Sequence, residues 1–290
     1  MTARLIDGKA MAAELRAQLR LEVEQYMRQQ DQMPEVVVVR VGGDAASGVY
    51  SKAILRAAES IGMAARLEQL PTRTSPAELQ ELLCCLNAQD RTRGIVVQMP
   101  LPAHLSQQLV ADTVVAEKDI DGISPQSAGN LFLGLPSFLP ATAAAVMEIL
   151  QRTGTPLEGK RAVVVSRSNV VGKPLALMLL QKHATVTICH SHTSDLARYT
   201  RQADVLVAAV GRAHMVTGEM VKPGATVIDV GINEHPDGGG GIVGDVDFAS
   251  VQAVAGALTP VPGGVGPLTN LLLLKQAMQG VWEAAAVQTV

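Results

Sequence analysis

Short apolar runs recur along the chain between stretches of helical periodicity, and their spacing limits the fold more than any other feature. They are Glu35 to Val41, Gly94 to Gln98, Arg161 to Val165, Asp204 to Val210 and Ala225 to Val230. Each is rich in valine and isoleucine, too short for a helix, and shows little of the polar alternation of a half-exposed strand. That is the pattern of strands buried on both faces of a parallel sheet. Further strands are expected at Ala64 to Gln69 and Ala184 to Cys189, with helices at about 8–30, 46–61, 75–87 and 141–152 and from Lys173-Pro174 onward. Strand and helix alternating in this way predict an α/β architecture with helices on the sheet faces. The pattern resets near Pro140, and a chain of 290 residues has room for two cores. We expect one domain from residues 1–139 and 268–290, and a second, Rossmann-like domain from 140–267.

Composition removes several function classes. A net charge of -3 with both signs interspersed gives no footprint for nucleic acid, and aromatics at 2% leave no stacking platform for single strands. No apolar stretch approaches the length of a membrane span, and the start of the chain lacks the apolar core of a signal peptide, so the expected location is cytoplasmic, with no membrane partner. Cys84, Cys85 and Cys189 match neither a disulfide framework nor a zinc spacing. His190 and His192 lack a third ligand, so no metal is expected.

Two segments carry ligand chemistry. Thr259 to Thr269 holds three prolines and three glycines before an apolar stretch. Proline fixes φ and glycine allows close approach, so this loop can present main-chain amides to a ligand. A tight strand-to-helix turn explains a shorter run equally well. The second segment, Ser166 to Gly172, joins a strand to a helix start, as in a dinucleotide site, although only Gly172 fits the usual glycine triplet. A plain βα turn is the alternative. About 20 residues further on, where an NAD site offers a carboxylate to the ribose, the chain reads Cys189-His190-Ser191-His192. With no acid there, Arg167 and Ser191 are suited to a 2'-phosphate, and NADP is the expected cofactor.

With these pieces placed, the chain resembles the bacterial bifunctional methylenetetrahydrofolate dehydrogenase and methenyltetrahydrofolate cyclohydrolase family. The resemblance rests on Ile6-Asp7-Gly8-Lys9, Gly94 to Pro102, Lys118-Asp119-Ile120-Asp121-Gly122, Ile228 to Asn233 with Val243 to Val246, and the Pro-Gly loop. It implies a folate-binding catalytic domain, an NADP domain, a final helix returning to the first domain, and a homodimer through the NADP domain. It also implies that Ser47, Tyr50, Gln98 and Asp121 bind the tetrahydrofolate substrate with Pro262 and Gly263, with Tyr50, Gln98 and Asp121 closest to the chemistry. Arg167, Ser168, Gly172, Ser191, Ile232 and Thr269 take the NADP roles. A buried packing role for Ile232 and a turn-capping role for Asp121 are the bland alternatives.

One departure from the family pattern bears on function. The family's catalytic helix carries a tyrosine and, four residues on, a lysine; here Tyr50 is followed at that spacing by Ile54. Lys52 falls on the opposite helix face. Other departures are Ala141 to Ala145, Ser127, Ser166 and Asn270. Hydride transfer from the methylene bridge needs positioning but no proton transfer, whereas opening the methenyl ring needs a base. The expectation is dehydrogenase activity with cyclohydrolase activity lost or reduced. The alternatives are a fully bifunctional enzyme in which another residue, such as Lys275, replaces the lysine, a binding protein without catalysis, and a dehydrogenase for another substrate.

Overall fold

A computed structural model describes residues 2–30, 32–43, 45–236 and 240–287, with side chains for all but 45–47 and 281–287. Along the chain run β1 (Arg4–Leu5), α1 (Gly8–Gln29), β2 (Glu35–Val41), α2 (Ala45–Ile61), β3 (Ala64–Leu70), α3 (Pro76–Ala88) and β4 (Thr92–Val97). Then come α4 (Gln107–Thr113), a 3-10 turn at Ala116–Lys118, α5 (Pro125–Leu133) and α6 (Ala141–Arg152). The second alternating series is β5 (Arg161–Val165), α7 (Gly172–Gln181), β6 (Thr185–Cys189), α8 (Leu196–Thr200), β7 (Val205–Ala208) and β8 (Thr226–Asp229). The remainder is β9 (Asn233–Glu234), β10 (Ile242–Val243), α9 (Phe248–Gln252), β11 (Ala257–Leu258) and α10 (Gly266–Val287).

The chain divides into two compact units, one of residues 1–12 and 140–269, the other of 13–139 and 270–290. In the first, a six-stranded sheet runs β1-β11-β8-β7-β5-β6 with every pairing parallel. Its core includes Val163, Val165, Leu206, Val227 and Leu258. In the second unit β3-β2-β4 form a parallel sheet. Val37, Val39, Ile95 and Val97 pack on that sheet's inner face against Leu79, Leu83 and Leu86 of α3. The α/β architecture with two parallel sheets is as the alternation predicts.

The first twelve residues part from the expected boundaries. They pack with the second series because Arg4 and Leu5 pair with Ala257 and Leu258, and the Ile6 amide donates to the Leu258 carbonyl at 2.9 Å. Two residues of strand leave no periodicity to read. β7 is shorter than its apolar run for a different reason. Past Ala208, the amides of Val210, Gly211 and Arg212 turn to the carboxylate of Asp245. α5 was not anticipated; Ser124 caps it by accepting from the Ser127 amide, and Gly134 ends it in the left-handed region. No helix among the described residues is long and apolar enough to cross a membrane.

Candidate active site

In the unit built on β3-β2-β4, α2 buries Gly48, Ser51, Ile54, Ala58 and Ile61 at the three- and four-residue spacing of an amphipathic helix. Ile54 is fully buried. Tyr50, on the shoulder of that face, stays 37% exposed, and Lys52 points to solvent. The side chain of Ser47 lies outside the described residues. β4 delivers Gln98 at its carboxyl end, where the Gln98 amide donates to Val39 at 2.8 Å and the residue is buried. Carboxyl ends of parallel strands are where open α/β sheets bind ligands.

The loop after the 3-10 turn holds two aspartates in different states. Asp119 is buried and accepts from the amides of Ile123 and Ser124 and from the Ser127 hydroxyl at 3.1, 2.8 and 2.7 Å. Its carboxylate thereby fixes the loop. Asp121 accepts no hydrogen bond among the described residues. It borders a void of about 10 Å³ beside Ile95, Val97 and Val110, and burial together with the Asp119 charge pushes its carboxyl up to about 6. Burial, then the Asp121 charge, raises the Tyr50 phenol in turn. Asp121 is half-buried, and a carboxylate so placed without donors is suited to a ligand that brings its own. The turn-capping alternative for Asp121 is met by Asp119 instead.

In the other unit β5 feeds α7 through Ser166 to Val171. Gly172 is required there: a Cβ would overlap the Ser166 carbonyl. Ser168 Oγ accepts from the amides of Val171 and Gly172 at 3.1 and 3.3 Å, closing the helix start. Val165 pairs with Cys189, so Arg167 and Ser191 each sit two residues beyond paired positions on adjacent strand ends, and both are exposed. A cavity of about 480 Å³ runs past Val171, Ile232, Thr142, Thr269 and the Pro-Gly loop. Ile232 is 68% exposed, so the buried packing role is excluded and its side chain faces ligand or solvent. Pro262 and Gly263 line the same cavity; Gly263 has φ +115°, a left-handed conformation that glycine adopts without strain. The cavity, the glycine-only approach at Gly172, and Arg167 and Ser191 just beyond adjacent strand ends fit a phosphorylated dinucleotide. Among the described residues, no group of three or more His, Cys, Asp or Glu could hold a metal ion.

The carboxylates that shape this wall escaped sequence reasoning. Buried Asp229 accepts from the amides of Gly231, Asp245 and Val246 at 2.9, 3.0 and 3.0 Å, and burial nevertheless pushes it up to about 6. Buried Asp245 accepts from Val210, Gly211, Arg212 and the Asn233 amide nitrogen. The available signal was an acid closing an apolar strand. Asn270, near the start of α10, keeps a buried Oδ1 without a partner.

Comparison with known proteins decides the kinship. Residues 6–121 match the catalytic domain of tetrahydrofolate dehydrogenase/cyclohydrolase, and residues 140–285 its NAD(P)-binding domain. The chain belongs to the tetrahydrofolate dehydrogenase/cyclohydrolase family. Within that family, the bifunctional protein FolD of Magnetococcus marinus is 50% identical over 282 residues, 97% of this chain and 98% of the relative. The crystal structure of the bifunctional dehydrogenase/cyclohydrolase FolD of Campylobacter jejuni superposes with a TM-score of 0.94 at 40% identity, covering 97% of this chain and 99% of that one. FolD of Trypanosoma brucei, solved with NADP cofactor and an inhibitor, gives 0.93 at 35% identity over 98% and 99%. The family's two domains thus span nearly the whole sequence.

Proposed function

We propose that the protein oxidises 5,10-methylenetetrahydrofolate to the methenyl form with NADP, and that its cyclohydrolase step is lost or strongly reduced. The observation that carries the second clause is the fully buried hydrocarbon of Ile54 on the helix that presents Tyr50. Bound NADP supplies the hydride acceptor. Asp121 would take the pterin's ring-edge donors in paired hydrogen bonds, Gln98 would hold the folate near its bridge, and Tyr50 would pack against it, with Ser47 at the helix start. Arg167 and Ser191 would hold the 2'-phosphate. Ser168, Ile232 and Thr269 would bind along the dinucleotide, while Gly172 lets the chain approach it. None of these residues has to exchange a proton for hydride to move.

Ring opening does need that exchange. Isoleucine has no proton to give, and a phenol raised above its ordinary range stays protonated at neutral pH. A second reading keeps both activities. It is favoured by the relatives' names, which are bifunctional at up to 50% identity, and by Asp121, whose carboxyl near 6 is in a range suited to a base. Lys275, half-buried on α10, is another group to test for it. A homodimer joined through the NADP-binding domain belongs to the proposal, and a native mass of a single chain would remove it. The dehydrogenase clause is tested by mixing native protein, NADP and 5,10-methylenetetrahydrofolate and following NADPH absorbance. Folate-dependent reduction is expected; binding of both ligands without reduction would contradict the proposal.

A further inference from the structure

Lys9 closes the motif Ile6-Asp7-Gly8-Lys9, to which the proposal above gives no task. Its place is fixed by hard contacts. Asp7 Oδ1 accepts from the Ala10 amide at 3.0 Å and starts α1. At Gly8 a Cβ would overlap the Gly264 carbonyl, so the first turn of α1 rests directly on the Pro-Gly loop. The Lys9 stem lies along that loop, its Cε 3.4 Å from where a Cβ on Gly263 would stand.

Lys9, exposed on the first turn of α1, also lines the 480 Å³ cavity and is the one cation among the described residues that line it. The other charged lining residue, Asp229, has both oxygens occupied by amides. Among the described residues no ion pair or hydrogen bond engages the Lys9 ammonium. The first turn of a helix disfavours a cation, because the helix dipole is positive there. The cation is therefore kept at an unfavourable place, unpaired, beside open space.

We propose that Lys9 binds an oxyanion, phosphate or carboxylate, of the ligand that fills this cavity. The inference rests on the function proposed above, whose ligands both carry such groups: the dinucleotide its phosphates, the folate its glutamate carboxylates. An ammonium has three donors for them and no acceptor.

The test uses full-length native protein, Lys9→Met and Lys9→Arg. NADPH and NADP binding are read by titration, and initial rates are measured with methylenetetrahydrofolate and with the pteroate analogue lacking glutamate. Loss of one charge-assisted contact predicts about tenfold weaker binding of one ligand in Lys9→Met, with partial rescue in Lys9→Arg and kcat near native. A loss shared by NADPH and NADP that shrinks with added salt assigns the phosphate. A raised KM for the folate, absent with the pteroate analogue, assigns the carboxylate. Affinities for both ligands within about twofold of native, or equal losses with folate and pteroate while NADPH and NADP bind as tightly as to native protein, overturn the inference. Native protein that binds neither ligand sinks the functional proposal itself.

Discussion

At the scale of single residues, two aspartates two positions apart in one loop have different surroundings. Asp119 uses its carboxylate on the loop's own amides and a serine, while Asp121 is half-buried without donors. Folding moves the Asp121 carboxyl from 3.8 up to about 6, so between those values the folded state holds more protons than the unfolded chain. Its contribution to stability therefore falls as pH rises through that window and stays low above it. Asp121→Asn, which removes the enclosed charge, should raise the unfolding midpoint at pH ~7.5 relative to native. The gain should fade toward pH ~4, and folate affinity should fall by about tenfold or more. Equal midpoints at both pH values would show that Asp121 is solvated. Asp229 shifts in the same window, so the comparison must be between the variant and native protein rather than across pH alone.

At the scale of elements, strands buried on both faces were legible because valine fills nearly all their interior positions, with charge confined to Glu35, Arg40 and Arg161 near the ends. Glu35–Val41 and Arg161–Val165 stand where valine runs placed them. The capping box of α3 was readable too: Ser75 accepts from Glu78 and Glu78 reaches back to the Ser75 amide at 2.7 Å. β1 and the β9–β10 ribbon were not, since two-residue strands are defined by their partners. The β5–α7 turn shows how a poor motif match can still give the expected geometry. Of the glycine triplet only Gly172 remains, and it is the position where strand and helix touch. Gly172→Ala should drive a methyl into the Ser166 carbonyl, costing roughly 1–3 kcal/mol of stability, as overpacking does. NADP affinity should fall further than folate affinity, measured by titration of each. Equal binding of both ligands by variant and native protein would mean that the turn does not hold the cofactor.

At the scale of the whole molecule, each unit has its own parallel sheet and apolar core, and the family match covers both domains. The alternation of valine-rich strands with helices is why the fold could be read from the sequence. The site was legible only in part. Gln98 and Asp121 stand in recognisable motifs, but the surroundings of Asp229, Asp245 and Lys9 depend on chain segments far apart in sequence. Whether a helix carrying Ile54 supports hydrolysis is a question of proton exchange rather than of fold. General acid-base groups contribute about 10² to 10⁴ in rate, so an ammonium placed at that position has a large effect to show. The most direct measurement is the rate of methenyltetrahydrofolate decay above buffer for native protein and for Ile54→Lys. The account predicts a native rate near that of buffer and a gain on the order of 10² in the variant. Native ring opening as fast as the protein's own hydride transfer, with no gain from the lysine, would contradict it.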